Sequence, residues 1–239
     1  MQTAIQLHTL RHVDESTPAL LDRVGDTALD GVEFADAPGG DVQGALADAG
    51  LSAAAAHVDI EALEADVQSV AATCDAAGCN TVVVPYLDES DFESERAVEA
   101  TASRLTAAGD ALADRGLRLA YHNHDHEFTD LGDGTAFDLL VEKLGDTVAV
   151  ELDLGWALAA GQDPAALLSR LGTVPLVHLK DVDAATGTPV ALGEGDLDVD
   201  GCVAAARDAG VEWLVYEHDD PADPLSALSR GAGTLADFR

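Results

Sequence analysis

The chain has 239 residues, 47% of them hydrophobic, which is enough apolar side chain to pack a core and argues against disorder. Its 45 acidic residues against 12 basic ones leave a formal charge of -33, which repels nucleic acid and anionic membranes and so excludes both as partners. The acid excess runs along the whole chain, as expected of a solvated surface in high salt, where cations screen the self-repulsion.

Taken in order, the chain alternates short apolar runs with helical patterns. Residues 4–10 read as a strand, and Ser16-Thr17-Pro18 opens a helix that reaches Gly25. GVEF (31–34) is the second strand. A helix over 42–50 and a strand over 51–58 follow, then a helix over 61–77 with Gly78 as its stop and a strand over 80–87. A long helix, 93–115, ends at Gly116 and delivers the fifth strand, 117–121. The pattern continues with a helix over 137–145, a strand over 147–156, a helix over 164–171 and a strand over 174–182. After the glycine-rich ALGEGDLD come a helix over 200–209, a strand over 211–220 and a last helix from Asp223-Pro224. Eight such units without a linker predict one α/β domain over 1–239, a single (β/α)8 TIM barrel.

Chemistry in such barrels sits at the C-terminal strand ends. Here these ends offer His8, Glu33, His57, Tyr86, His122 with His124, Asp153, His178 with Lys180, and Glu217 with His218. All eight are polar or titratable, which points to a functional mouth. Three histidines crowd into YHNHDHEF, with Glu127 directly after them, giving the imidazole and carboxylate that a metal or proton-transfer site needs. Glu151 lies on the same strand face as Asp153, one layer deeper, and requires a buried partner. Lys180 is one of only two lysines, so an inward role is expected, with Glu151 or Asp181 to offset its charge. Arg11 and His12 offer the only hint of an anion site. Cys74, Cys79 and Cys202 contain no CxxC pair, and Cys74 and Cys202 fall in helical patterns as buried apolar residues. MQTAIQLHTLRHVD shows no charged leader before an apolar run, and no stretch is long enough to span a bilayer, so a soluble, cytoplasmic protein is expected.

The pieces IQLHTLR, GVEF, YHNHDHEF, ELDLGWALAAGQDP, VHLKD, LGEGDLD and YEHDD, in this order from residue 5 to about 235, make the chain resemble the xylose-isomerase-like barrel superfamily. The resemblance is closest to its sugar phosphate isomerase/epimerase branch, whose relatives include inosose dehydratases and endonuclease IV-like barrels. It implies one divalent metal, Mn2+ first and Mg2+, Co2+ or Zn2+ as alternatives, held by an aspartate, a histidine and two glutamates. Asp153, His178 and Glu217 match three of those positions. Where many relatives read Glu-Asn-His, this chain reads His122-Asn123-His124, so the fourth ligand is His122, Glu127 or Glu151.

A metal chelating a ketose carbonyl and its neighbouring hydroxyl acidifies the intervening C–H and stabilises the enediolate, which leads to isomerisation or epimerisation, or to dehydration if a β-hydroxyl leaves. The expected activity is therefore a metal-dependent isomerase or epimerase of a small keto-sugar or polyol derivative, with a dehydratase as the alternative. Catalytic candidates are Glu217, His124, Glu127 and Lys180, the last as a donor to the enediolate oxygen. Substrate-binding candidates are Glu33, His57, Tyr86, Trp156 and Glu194. The expected partner is a small carbohydrate, and a homo-oligomer is compatible with everything above. An endonuclease-like activity would need a basic DNA-facing surface, which this composition denies.

Overall fold

Strand alternation decides which side chains line the inside of the molecule. The structure, a computed structural model, describes residues 1–172 and 174–238. Its strands are β1 (Gln2–Gln6), β2 (Gly31–Phe34), β3 (Ser52–His57), β4 (Thr81–Val84), β5 (Arg118–His122), β6 (Val148–Asp153), β7 (Leu176–Leu179), β8 (Asp181–Asp183), β9 (Thr188–Val190) and β10 (Trp213–Tyr216). All but β8 and β9 close into a parallel barrel in the order β1-β2-β3-β4-β5-β6-β7-β10, the (β/α)8 arrangement expected from the sequence.

The outward residues of these strands, among them Ile5, Val32, Phe34, Val82, Val84, Leu119, Tyr121, Leu152, Val177, Leu179, Leu214 and Tyr216, join the large core beneath the helices. The inward ones follow a second pattern. At the N-terminal end they are small or apolar: Ala4, Ala54, Ala55, Ala120 and Ala149 surround Val83, Leu176, Val215 and Trp213. Trp213 is the one large side chain in that cluster, and the alanines leave it room. Two residues further along, the same inward columns turn polar. Ala4 gives way to Gln6, Ala55 to His57, Ala120 to His122, Leu176 to His178 and Val215 to Glu217, all buried.

The helices are α1 (Thr17–Gly25), α2 (Val42–Ala49), α3 (Ile60–Ala76), α4 (Glu95–Ala113), α5 (Ala136–Lys143), α6 (Leu154–Ala159), α7 (Pro164–Arg170), α8 (Val199–Asp208) and α9 (Pro224–Ala236). Local chemistry sets their ends. Ser94 caps α4, Thr135 and Asp138 form a capping box on α5, and Asp163 and Asp223 cap α7 and α9 with proline in the first turn. Gly50 ends α2 at a φ of +70° that a side chain would resist.

Several elements differ from the sequence reading, among them the strand expected over 211–220, which spans only Trp213–Tyr216. The first strand stops at Gln6, and Leu7–Leu10 turns into a 3-10 helix because the Gln6 side chain accepts from the His8 N–H. β6 stops at Asp153, whose carboxylate accepts from Trp156 N–H at 2.8 Å and starts α6 at once. β4 ends at Val84, leaving Tyr86 beyond the strand. The expected strand over 174–182 breaks at Lys180, after which β8 pairs with β9 as an antiparallel hairpin. Cys74, Cys79 and Cys202 are free and buried, and no described helix is long and apolar enough to cross a membrane.

Candidate active site

The polar inward side chains form two layers that share two imidazoles. Strand register fixes the sharing: His122 stands beside Glu151, and His178 beside Asp153 on one side and Val215 on the other. In the upper layer, His178 Nδ1 lies 2.9 Å from Glu217 Oε2 and 3.9 Å from Asp153 Oδ2, and His122 Nε2 lies 3.9 Å from the same Asp153 oxygen. In the lower layer, His178 Nε2 faces Glu33 at 2.6 Å and Glu151 at 3.2 Å, while His122 Nδ1 faces Glu151 at 3.0 Å. His57 Nε2 completes the lower layer, 3.3 Å from Glu151, 3.4 Å from Glu33 and 3.2 Å from the Gln6 amide nitrogen.

Lys180 sits above the upper layer, 1% exposed. Its ammonium is 3.1 Å from Asp153, 3.0 Å from Glu217 and 2.7 Å from Asp219, and lies 4.9 Å from the centre of the Trp156 ring. The expected offset by Glu151 or Asp181 is corrected: Glu151 is committed to the three histidines, and Asp181 to backbone amides. Lys180 follows the last residue of β7, and Gly155 is what lets α6 close over it. A Cβ there would come within 2.7 Å of the Lys180 carbonyl oxygen and 2.9 Å of its Cγ.

Burial favours the neutral forms of all these groups, so their charges persist only through each other. Burial opposes charge on Lys180, but Asp153, Glu217 and Asp219 raise its pKa further above the usual value. Burial likewise opposes ionised Glu217, yet Lys180 and His178 hold it well below the carboxylate range. Glu33 is held well below that range by His57 and His178 against its burial. Glu151 is lowered to about 2 by the histidines, against burial and the repulsion of Glu33. His57 is raised to about 10 by Glu33 and Glu151 against its burial. Asp153 goes the other way: burial lifts it to about 6, although Lys180 and His178 pull it down. His124 falls to about 3 through burial and the nearby ammonium, so its imidazole is neutral.

A pocket of about 450 Å3 opens onto this ring at the mouth, lined by His8, Arg11, Asp36, His57, Tyr86, His122, His124, Lys180, Glu217 and Asp219 among others. Tyr86 stands at the rim, 47% exposed, with its ring edge-on to His124 at 5.2 Å. Trp156 stacks on His124 at 5.8 Å and does not itself line the pocket. Three expected site residues are placed elsewhere. Glu33 is fully buried beneath His178, so it can orient that imidazole but cannot touch a substrate in the pocket. Glu127 is buried off the pocket, accepting from Tyr121 Oη at 2.5 Å and from the His124 N–H at 2.8 Å, so it fixes the loop that carries His124. Glu194 points to the surface and pairs with Arg230 at 3.0 Å.

Gln6, Asn123 and Asp219 were missed. Gln6 was legible from the inward column it shares with Ala4, once the strand end is put at residue 6. Asn123 clasps β5 to β6, its Oδ1 accepting from the Asp153 N–H at 3.0 Å. Nothing local marks Asp219, because its role depends on Lys180 from another strand.

Two groups of ligand atoms, each within 4.8 Å of one another, have the composition of a metal site: His122, Asp153, His178 and Glu217 above, and His57, His122, Glu151 and His178 below. Glu151 Oε1 is buried and accepts no hydrogen bond, which is the deficit a cation corrects. This buried cluster could therefore hold a metal ion.

A family model described as xylose isomerase-like TIM barrel matches residues 30–237. The chain belongs to that family. Among solved structures, it is similar to a sugar phosphate isomerase/epimerase from Parabacteroides distasonis, with a TM-score of 0.86 at 19% identity over 99% of this chain and 95% of that one. It is also similar to the probable 3-DHS dehydratase AsbF of Bacillus anthracis, with a TM-score of 0.81 at 15% identity and 99% of both chains covered. Among curated proteins, the rhizopine catabolism protein MocC of Rhizobium meliloti is 30% identical over 162 residues, 58% of this chain. That match spans only 49% of MocC. At these identities the structural neighbours establish the fold of this family member, and its reaction is argued from its own residues.

Proposed function

We propose that the chain is a divalent-metal-dependent isomerase or epimerase of a small keto-sugar or polyol derivative. The observation that carries this reading is the buried ring of His122, Asp153, His178 and Glu217 at four strand ends, open to the mouth pocket. These four residues would hold the metal. Two carboxylates with two imidazoles suit Mn2+, with Mg2+, Co2+ or Zn2+ as alternatives. Bound there, the metal would polarise the substrate carbonyl and stabilise the charge that develops on its oxygen.

The chain's own groups divide the remaining work. The lower layer orients the upper one: Glu33 accepts a hydrogen bond from His178 Nε2–H and Glu151 one from His122 Nδ1–H, which leaves the opposite nitrogens as lone-pair donors. Lys180 is a donor only, and supplies a hydrogen bond to the oxygen that becomes negative in the enediolate. His124 is neutral and lines the pocket, so its imidazole can accept the proton from carbon and return it. Glu217 also lines the pocket and offers a carboxylate for proton transfer. Tyr86, which lines the pocket beside His124, presents a flat apolar surface to a sugar ring, and Trp156 packs against His124.

The likeness to the probable 3-DHS dehydratase AsbF supports a second reading, dehydration, in which the same enediolate would expel a β-hydroxyl. Incubation of ketoses, inososes and 3-keto-glycosides with Mn2+-loaded protein in D2O separates the two. Isomerisation or epimerisation conserves the skeleton and brings deuterium to the carbon next to the carbonyl. Loss of water with no isomer formed overturns the first reading in favour of the second.

A further inference from the structure

Loops after the seventh and eighth strands of a (β/α)8 barrel, with the helix N-termini beside them, are the usual phosphate site of this fold, because their backbone N–H groups converge on the mouth. In this chain its own carboxylates take the donors of the loop after β7 and one N–H at the start of each of the two helices that follow. After β7, the Asp181 carboxylate, 1% exposed, accepts from the N–H groups of Val182 at 2.9 Å, Gly193 at 2.8 Å, Gly195 at 3.0 Å and Leu197 at 3.1 Å. The loop is drawn so closely around it that a Cβ on Gly195 would lie 2.2 Å from Asp181 Oδ1. No second anion fits there. At the start of α8 the Asp198 carboxylate accepts from Gly201 N–H, and at the start of α9 Asp223 accepts from Ser226 N–H.

The side-chain cations are committed in the same way. Arg11 lines the pocket, but its guanidinium is held by the Asp220 carboxylate and the His8 carbonyl oxygen. Lys180, beside three carboxylates, serves the reacting oxygen in the reading above, and Arg230 is paired with Glu194. Among the described residues, each of these cations near the mouth therefore already has a carboxylate. The pocket wall adds Asp36 and Asp219, acceptors that repel an anion and suit hydroxyl donors.

From this we infer that the substrate is a polyhydroxy carbonyl compound carrying neither phosphate nor carboxylate. The inference rests on the isomerase or epimerase reading and narrows its substrate class. It sets the chain apart from the phosphorylated sugars named for its Parabacteroides distasonis neighbour.

The test uses the full chain loaded with Mn2+ and measures dissociation constants for D-fructose and D-tagatose, for their 6-phosphates, and for inorganic phosphate. Equal or weaker binding of the phosphate esters, and no rise in melting temperature with millimolar phosphate, are expected. An ester that binds more tightly than its parent sugar overturns the inference. The variant Asp220→Asn frees Arg11 and keeps a side chain that tolerates the left-handed backbone there, φ +45°. It should gain phosphate affinity by about tenfold, the factor that ~1.4 kcal/mol produces; no gain would show that Arg11 is not held back by Asp220. If no sugar takes up solvent deuterium while the affinities keep this order, the reaction reading fails and the substrate-class inference stands.

Discussion

Lys180→Met removes the cation on which two buried carboxylates and a partly exposed third depend. Asp153, Glu217 and Asp219 lie 3.1, 3.0 and 2.7 Å from its ammonium. Methionine retains the apolar stem and the packing against Trp156, so the change isolates the charge. Breaking a buried ion pair by removing one partner costs about 3–5 kcal/mol, because the remaining charge stays desolvated. For a chain of this size each kcal/mol moves the melting temperature by ~2–4 °C. The metal-free variant should therefore melt about 6–20 °C lower in EDTA. Mn2+ brings its own positive charge to Asp153 and Glu217, so its addition should recover a large part of that loss. Turnover should stay ~10²- to 10³-fold down, the usual effect of losing one donor to an oxyanion. Thermal unfolding with and without Mn2+, beside steady-state rates, measures all three quantities. An unchanged metal-free melting temperature together with wild-type turnover would refute the account of Lys180 given above.

Glu217→Ala, which deletes an upper-layer carboxylate, should abolish tight Mn2+ binding in equilibrium dialysis, and Asp153→Ala should do the same. Glu33→Gln should weaken Mn2+ by about 10–100-fold, as loss of an orienting carboxylate does, and retention of full affinity would place Glu33 outside the site's support. The metal-free chain should be most stable between about pH 4.5 and 6.5, read by chemical unfolding across pH. Glu151, depressed to about 2, contributes above its unfolded value and loses that contribution as pH falls; His57, raised to about 10, contributes below its unfolded value and loses it as pH rises. With a net charge of -33, the melting temperature should climb as KCl goes from dilute to molar, and a flat or falling curve would show that surface repulsion is not a significant cost.

The barrel was legible because its signals are local. Glycine stops such as Gly50 and Gly116 and the apolar strand runs each depend on a few neighbouring residues. Part of the upper ring was legible as well: alternation turns the strand ends inward and the family resemblance points to Asp153, His178 and Glu217, but the sequence does not choose among His122, Glu127 and Glu151 for the fourth place. Errors arose where a side chain overrode the pattern. Gln6 and Asp153 each capture a backbone N–H just past their strand and end it early, although the residues beyond remain apolar. Glu33 was read as facing substrate because it ends a strand, but its inward column stops one layer short of the pocket. Glu194 and Asp181 sit in the same glycine-rich neighbourhood, and nothing in sequence alone says which carboxylate the loop would turn inward. Asp219 depends on a contact between β7 and β10, and contacts of that range leave no local mark.

The placement of the two tryptophans gives the molecule a pair of optical reporters at opposite ends. Trp156 lies against His124 and beneath the Lys180 ammonium, whose approach quenches or shifts indole emission. Trp213 is packed among alanines at the far end of the barrel, away from every titratable group of the site. With Trp213→Phe, the remaining fluorescence would follow events in the mouth, so Mn2+ and sugar titrations could be read without any label. With Trp156→Phe, the signal would stay constant through those titrations and change only when the barrel opens. Recorded side by side, the two emissions separate occupancy of the site from loss of the fold, using only light the chain already emits.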